Sequence, residues 1–195
     1  MIKSVNKKRA IQILRSGFPV GFPTDTLPAI GCLPEFAEIV YVFKKRDKNK
    51  ALILMGSDIS QVISYVDRSA KDDFLCLTEQ FWPGPLTIVV PISEEKKSFS
   101  EINTIGLRIP KSLTAQSLLS ETGPLYTSSA NISGLSTSLT AHEVSKDLPN
   151  LDLLGPIPWE ECSGKASTVI SWVKGGKWKL IRQGEISISN INQCH

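Results

Sequence analysis

Ser167-Thr168-Val169-Ile170-Ser171-Trp172-Val173-Lys174-Gly175-Gly176-Lys177-Trp178-Lys179-Leu180-Ile181-Arg182 decides the fold class. Two runs rich in β-branched and aromatic residues, Ser167–Val173 and Lys177–Arg182, flank Gly175-Gly176. Paired glycines accept the positive φ angles of a tight turn, so the segment predicts a β-hairpin and an antiparallel strand pair. Elsewhere helical and strand patterns alternate. Together they predict an α/β domain with a twisted, mixed (parallel and antiparallel) open sheet flanked by helices.

Upstream, Leu86–Ile92 reads as a buried strand. Thr104-Ile105-Gly106-Leu107-Arg108-Ile109-Pro110 is a second strand, stopped by proline. Its alternation puts Thr104, Gly106 and Arg108 on one face and Ile105, Leu107 and Ile109 on the other. An Arg on such a face is costly unless paired. Its partner is either an internal Asp or Glu or the carboxylate of a ligand, which guanidinium grips bidentately.

Further strands are read at Val20–Phe22, Ala51–Met55 and Leu125–Thr127. Helices are predicted over 3–16, closed by Gly17; after Pro34, where Phe36, Ile39, Val40 and Phe43 form one apolar face; over 58–66 and 70–81, with Ser57 and Ser69 as caps; and from the Ser112 cap to about Glu121. Trp82-Pro83-Gly84-Pro85 must end the 70–81 helix, and it reads as a rigid turn with a packed indole.

The 195 residues carry 22 Lys and Arg against 19 Asp and Glu, a formal +3, and 41% are hydrophobic. That composition supplies a core and excludes a mainly disordered chain. No linker or repeat interrupts the sequence, so one domain over 1–195 is expected. No apolar run approaches the ~20 residues of a membrane span, and no signal-type core follows the basic stretch Met1–Arg9.

Cys32, Cys76, Cys162 and Cys194 are scattered without a C-x-x-C pair, which suits a reducing, cytoplasmic setting and offers no zinc knuckle. With only His142 and the final His195, histidine-based catalysis and His-rich metal sites have little to work with. Ser163-Gly164-Lys165-Ala166 resembles a phosphate-loop fragment but fails, because Trp159 stands where glycine is required and Ala166 replaces Ser or Thr. G-x-G-x-x-G and G-x-S-x-G are absent.

Two polar groups remain. Lys44-x-Arg46, followed by Asp47, Lys48, Asn49 and Lys50, is either a solvated helix end complementing the dipole or a cationic loop at the mouth of a sheet. Ser128-Ser129-Ala130-Asn131 is either a self-satisfied turn or a hydroxyl and amide cluster aimed at a polar ligand.

Taken in order, Pro23-Thr24-Asp25-Thr26, Lys44-x-Arg46, Phe81–Thr87, Gly106-x-Arg108-x-Pro110, Ser129-Ala130-Asn131-x-Ser133-Gly134, Ser167-Thr168-Val169 and Arg182-x-Gly184 resemble the YrdC-like domain of the threonylcarbamoyl-AMP synthase family. The similarity runs from about Pro19 to Glu185, and the chain looks like the family's short, single-domain form. The resemblance implies a large, concave, positively charged cavity. It also implies a nucleotidyltransferase that joins L-threonine, bicarbonate (or CO2) and ATP into L-threonylcarbamoyl-AMP and pyrophosphate, with Mg2+ held largely through ATP and water. Downstream proteins would pass the threonylcarbamoyl group to tRNA, beside the anticodon.

By the same resemblance, Lys44, Arg46, Ser129 and Asn131 correspond to the family's polar, catalytic tetrad. Thr26, Arg108, Ser129 and Ser167 fall where L-threonine is held. Arg46, Lys50, Thr104, Asn131, Thr140 and Arg182 fall where ATP is held. The chain departs from the family pattern at Leu27-Pro28, at Asp47 and Ala51, where prolines are usual, and at Met55, where some relatives place a His. A non-catalytic module for tRNA or double-stranded RNA is the alternative, though +3 is a small charge and aromatics do not interleave with the basic residues. A carbamoyl-transfer relative acting on carbamoyl phosphate is a third reading. Weak tRNA contact and no membrane partner complete the expectations.

Overall fold

Asn6 ends a two-residue strand, β1 (Ser4–Val5), and caps α1 (Lys7–Arg15) by accepting the Arg9 N–H. The helix expected over 3–16 is therefore shortened at its start. The computed structural model describes residues 2–97 and 103–191, so Cys194 and His195 lie outside the described residues. In chain order follow β2 (Val20–Phe22), β3 (Ala29–Cys32), a 3-10 turn Pro34–Phe36, α2 (Glu38–Lys44), β4 (Ile53–Met55), α3 (Ile59–Val62) and α4 (Lys71–Phe81). Then come β5 (Leu86–Pro91), β6 (Thr104–Arg108), α5 (Leu113–Thr122), β7 (Leu125–Ser129), α6 (Ala141–Asp147), β8 (Asp152–Leu154), β9 (Thr168–Val173), β10 (Lys177–Arg182) and α7 (Ile188–Ile191).

The strands form one ten-stranded sheet in the order β1-β8-β2-β3-β7-β4-β6-β5-β9-β10. It is mixed, as the hairpin required. The pairs β1/β8, β2/β8, β4/β6 and β5/β9 are parallel and the other five are antiparallel. In the hairpin, Gly175 and Gly176 have φ of +82° and +75°, and Trp178 stands opposite Trp172. The register slips between Leu180 and Arg182, a bulge that brings Arg182 opposite Val169.

Two caps differ from the sequence reading. Asp58 caps α3 and Asp67 caps the turn before α4, each accepting the N–H of the serine two residues on. A carboxylate is the stronger acceptor where both types are in reach. Ser112 caps α5 as expected. Trp82 follows α4 and packs edge-on against Phe74, 5.3 Å between centroids, while its Nε1 donates to Leu86 O.

Alternation assigns the sheet two faces. Leu54, Ile88, Val90, Leu107 and Ile170 are buried against Phe74 and Leu77 of α4 and Val62 of α3. On the same side, α2 and α6 cover Ile30 and Leu153. The opposite face is covered only in part. There α1 and α5 pack on Phe22, Ala29, Met55 and Leu125. The uncovered remainder, over β4–β7 and β9, is the floor of a cavity.

Candidate functional site

The cavity holds about 960 Å³ and is floored by Ile53, Thr87, Val89, Gly106, Arg108, Thr127, Ser129 and Val169. Among the described residues, six cations line it (Arg46, Lys48, Lys96, Lys97, Arg108, Arg182) against two carboxylates (Glu35, Glu38). Its field therefore favours an anion.

Arg108 is 4% exposed, and its position follows from the alternation of β6. Its guanidinium donates from Nε to Gly84 O (3.1 Å), from Nη1 to Thr26 Oγ1 (2.8 Å) and from Nη2 to Asp25 Oδ1 (2.7 Å). The internal partner left open by the sequence is thus Asp25. An arginine has five N–H donors, so one remains on each terminal nitrogen. Burial lowers the Arg108 pKa and the Asp25 carboxylate opposes the change.

The turn that supplies Asp25 and Thr26 is braced from a distant segment. Ser163 N donates to Asp25 O (2.9 Å) and Gly164 N to Thr26 O (3.0 Å). The fragment that failed as a phosphate loop is a strap that fixes this wall. Next to it, Ser167 Oγ shares a hydrogen bond with Thr87 Oγ1 (2.8 Å) and receives one from Arg182 Nη2 (3.1 Å). Arg182 also donates from Nε and Nη2 to Ser167 O. The bulge before it supplies that aim. Burial and the nearby Arg46 both lower the Arg182 pKa.

On the other wall, β7 runs on through Ser128 and Ser129, past the expected end at Thr127. Lys44 is 1% exposed behind Ser129. Its ammonium donates to Ser129 O, to Ser129 Oγ (3.3 Å) and to Asn131 Oδ1 (3.4 Å). Ser129 Oγ donates to Asn131 Oδ1 (2.6 Å), and Asn131 Nδ2 donates to Ile132 O and Leu135 O. Burial, then Arg46, lowers the Lys44 pKa from 10.5 to about 7.

Below about 7 Lys44 is charged in both folded and unfolded chains, and the burial cost is fully present. As pH rises from about 7 toward 10.5 the folded chain binds fewer protons, so stability gains. Wild-type protein should gain denaturant resistance over that window relative to Lys44→Met. Parallel unfolding curves for the two proteins would contradict it.

The structure gathers Thr26, Arg46, Thr104, Arg108, Ser129, Ser167 and Arg182 around the cavity. Lys44 and Asn131 stand one layer behind, through Ser129. Lys50 is exposed, and its carbonyl accepts from Arg46 Nε (3.1 Å). Thr140 is spent on a capping box with Glu143 at the start of α6, outside the cavity lining. Asp25 and Thr87 escaped the sequence reading as site residues, although both lie in the quoted motifs and Thr87 shares a strand face with Val89.

The departures from the family pattern are absorbed locally. Pro28 needs no N–H, because its carbonyl is the group used, accepting from Ala130 N (2.8 Å). Asp47 builds a turn by accepting from Asn49 N (2.9 Å), and Arg46 Nη2 donates to Ala51 O (3.0 Å), so the 46–51 loop is tied without prolines. Met55 is buried in the core beside α1 and α5, at the cavity's edge.

The family model Sua5_yciO_yrdC, described as telomere recombination, matches residues 12–184. A relative in Vibrio parahaemolyticus, named threonylcarbamoyl-AMP synthase, is 28% identical over 187 residues, 92% of this chain and 99% of that one. A Bos taurus protein of the same name is 33% identical over 189 residues, covering 91% and 67%. The crystal structure of P. abyssi Sua5 complexed with L-threonine superposes with a TM-score of 0.87 at 26% identity, covering all of this chain. The chain spans 60% of that protein's length. E. coli YciO shares the fold, with a TM-score of 0.77 at 24% identity and coverage of 94% and 96%.

Proposed function

We propose, from the premise that the chain belongs to the Sua5/YciO/YrdC family, that it is a threonylcarbamoyl-AMP synthase. It takes L-threonine, CO2 or bicarbonate, and ATP, and releases pyrophosphate, as a nucleotidyltransferase. The observation that carries this reading is the convergence of three differently built walls on one cavity. One is a buried guanidinium with two free N–H groups, one a hydroxyl pair at Thr87 and Ser167, and one the Ser129–Asn131–Lys44 cluster.

Each wall has a task in the reaction. Arg108 takes the α-carboxylate of threonine bidentately, with Thr26 and Ser167 beside it. The amine adds to CO2 and forms a carbamate. A carbamate oxygen then attacks the α-phosphorus of ATP, and the bond to pyrophosphate breaks. Arg46 and Arg182 line the cavity, where they would neutralise the charge of the phosphates, with Thr104 on the same lining; Lys50, Asn131 and Thr140 lie outside that lining and would meet the nucleotide only if it extends past it. Such a step needs alignment and charge compensation more than a histidine.

Among the described residues no group of three His, Cys, Asp or Glu gathers as metal ligands. A Mg2+ ion would be held largely through ATP and water, and would supply charge neutralisation there. The product would serve proteins that modify tRNA, in the cytoplasm. Among the described residues no helix is long and apolar enough to cross a membrane.

The test is incorporation of labelled bicarbonate. Incorporation should require both ATP and L-threonine and should release one pyrophosphate per product. The absence of incorporation at saturating substrates would end the proposal. Retention of tRNA that falls steeply with salt and ignores ATP would favour the RNA-binding alternative instead.

A further inference from the structure

Among the described residues no carboxylate forms an ion pair with Lys44. Its three acceptors, Ser129 O, Ser129 Oγ and Asn131 Oδ1, are all uncharged. Among the described residues the charged group acting on it is Arg46, on the same segment, and it repels. The carboxylates of α6 are engaged elsewhere: Glu143 by the N–H groups of Leu139 and Thr140, and Asp147 by Ser138. The phenols of Tyr41 and Tyr126 and the thiol of Cys32, on the elements packed around it, are all pushed toward their neutral forms by burial.

The cluster can hold Lys44 in two protonation states without leaving a polar atom unpaired. With Lys44 protonated, its three N–H groups meet the three acceptors, and Ser129 Oγ–H points to Asn131 Oδ1 at 2.6 Å. With Lys44 neutral, two N–H groups keep Ser129 O and Asn131 Oδ1. The Ser129 hydroxyl then rotates and donates to the Nζ lone pair. Only one hydroxyl turns, and that hydroxyl belongs to a residue lining the cavity.

We propose that Lys44 and Ser129 form a proton-accepting dyad, in which Ser129 Oγ passes a proton from the α-ammonium of the bound amino acid to Nζ of Lys44. This rests on the synthase reading above. The N–H bond breaks and its electron pair stays on nitrogen. That pair forms the new bond to the carbon of CO2, while a C=O pair moves to oxygen. The nitrogen loses a second proton to water, giving the carbamate. Lys44 returns its proton through the same hydroxyl to the departing pyrophosphate. The dyad thus answers a need the rest of the cavity leaves open, since among the described lining residues no histidine is present and the cations dominate.

The test has two arms on the full chain. In the first, the Nζ of 15N-labelled lysines is titrated by NMR without substrate, with the Lys44 signal assigned by its loss in Lys44→Met. A transition near neutral pH is expected, and an ammonium that persists above pH ~9, as for an ordinary lysine, would overturn the dyad. In the second, the pH dependence of kcat for threonine-dependent pyrophosphate release is compared among wild type, Lys44→Arg and Ser129→Ala. Arginine keeps the cation but cannot give up its proton. Both variants should lose ~100-fold in kcat and lose the acid limb near neutral pH. Retention of the limb in Ser129→Ala would overturn the relay. If wild type releases no pyrophosphate, the synthase reading fails, and the NMR arm still reports on the lysine by itself.

Discussion

Arg108→Ala will weaken L-threonine binding by about 2–4 kcal/mol, roughly 30- to 1000-fold, and leave ATP affinity nearly unchanged. The guanidinium is buried, and its two free N–H groups are the matching donors for a planar carboxylate. Truncation removes both charge-assisted hydrogen bonds at once. It also strips Asp25 of its counter-ion, and breaking such a pair destabilises a fold. Arg108→Lys separates the two effects. It keeps a cation near Asp25 but loses the fork, so it should recover stability more than affinity. Calorimetric titration with threonine on folded protein checks both variants. An unchanged threonine affinity in Arg108→Ala would remove this residue from the substrate site.

Gly184→Ala will destabilise the chain by ~3 kcal/mol, the upper end of the usual cost of overpacking. A methyl at this position would stand 2.2 Å from Ala166 O and 2.4 Å from both Ser167 C and Thr168 N. All three are backbone atoms, so no rotamer relieves the clash. Either the exit of β10 or the start of β9 must move, and both carry the wall that presents Ser167. A melting-temperature loss of about 6–12 °C is expected for a chain of this size. The Michaelis constants of both substrates should rise with it, because Ser167 and Arg182 are displaced together. A melt that overlays wild type would show that the contact relaxes at no cost.

The sequence made the sheet class and one site wall readable, and the reasons are local. Along β6, strict alternation separated Arg108, Gly106 and Thr104 from Ile105 and Leu107, because one face is the cavity floor and the other packs into the core. The Gly175-Gly176 turn was equally plain. By contrast β3 has all four residues buried, and with both faces covered Ala29–Cys32 carries no period of two. The three-residue β8 is too short for any period. In α6, whose buried residues are Ala141 and Val144, only the Thr140-x-x-Glu143 capping box gave a signal, and it went unread.

The site shows the same division. The residues came forward as motifs, but the bonds that join Asp25 to Arg108, Ser163 to Asp25 and Arg182 to Ser167 span 15 to 138 positions of chain. Such pairings depend on strand order, which no short pattern encodes. The resemblance to a family grouped Lys44, Arg46, Ser129 and Asn131 as one tetrad, which no spacing in the sequence does. Physical reading of the residues had left each of them undecided between a structural and a ligand-binding role.

The indoles that oppose each other across the β9–β10 turn have a practical consequence. Trp172 Nε1 donates to Asp73 Oδ2 at 2.7 Å, so this ring also ties the hairpin to α4. Intrinsic fluorescence therefore carries a built-in reporter of the segment that bears Arg182. Opening of that segment would change the emission of the paired rings while the Trp82 contact with Phe74 stays shut, and single-indole variants can read the two events apart.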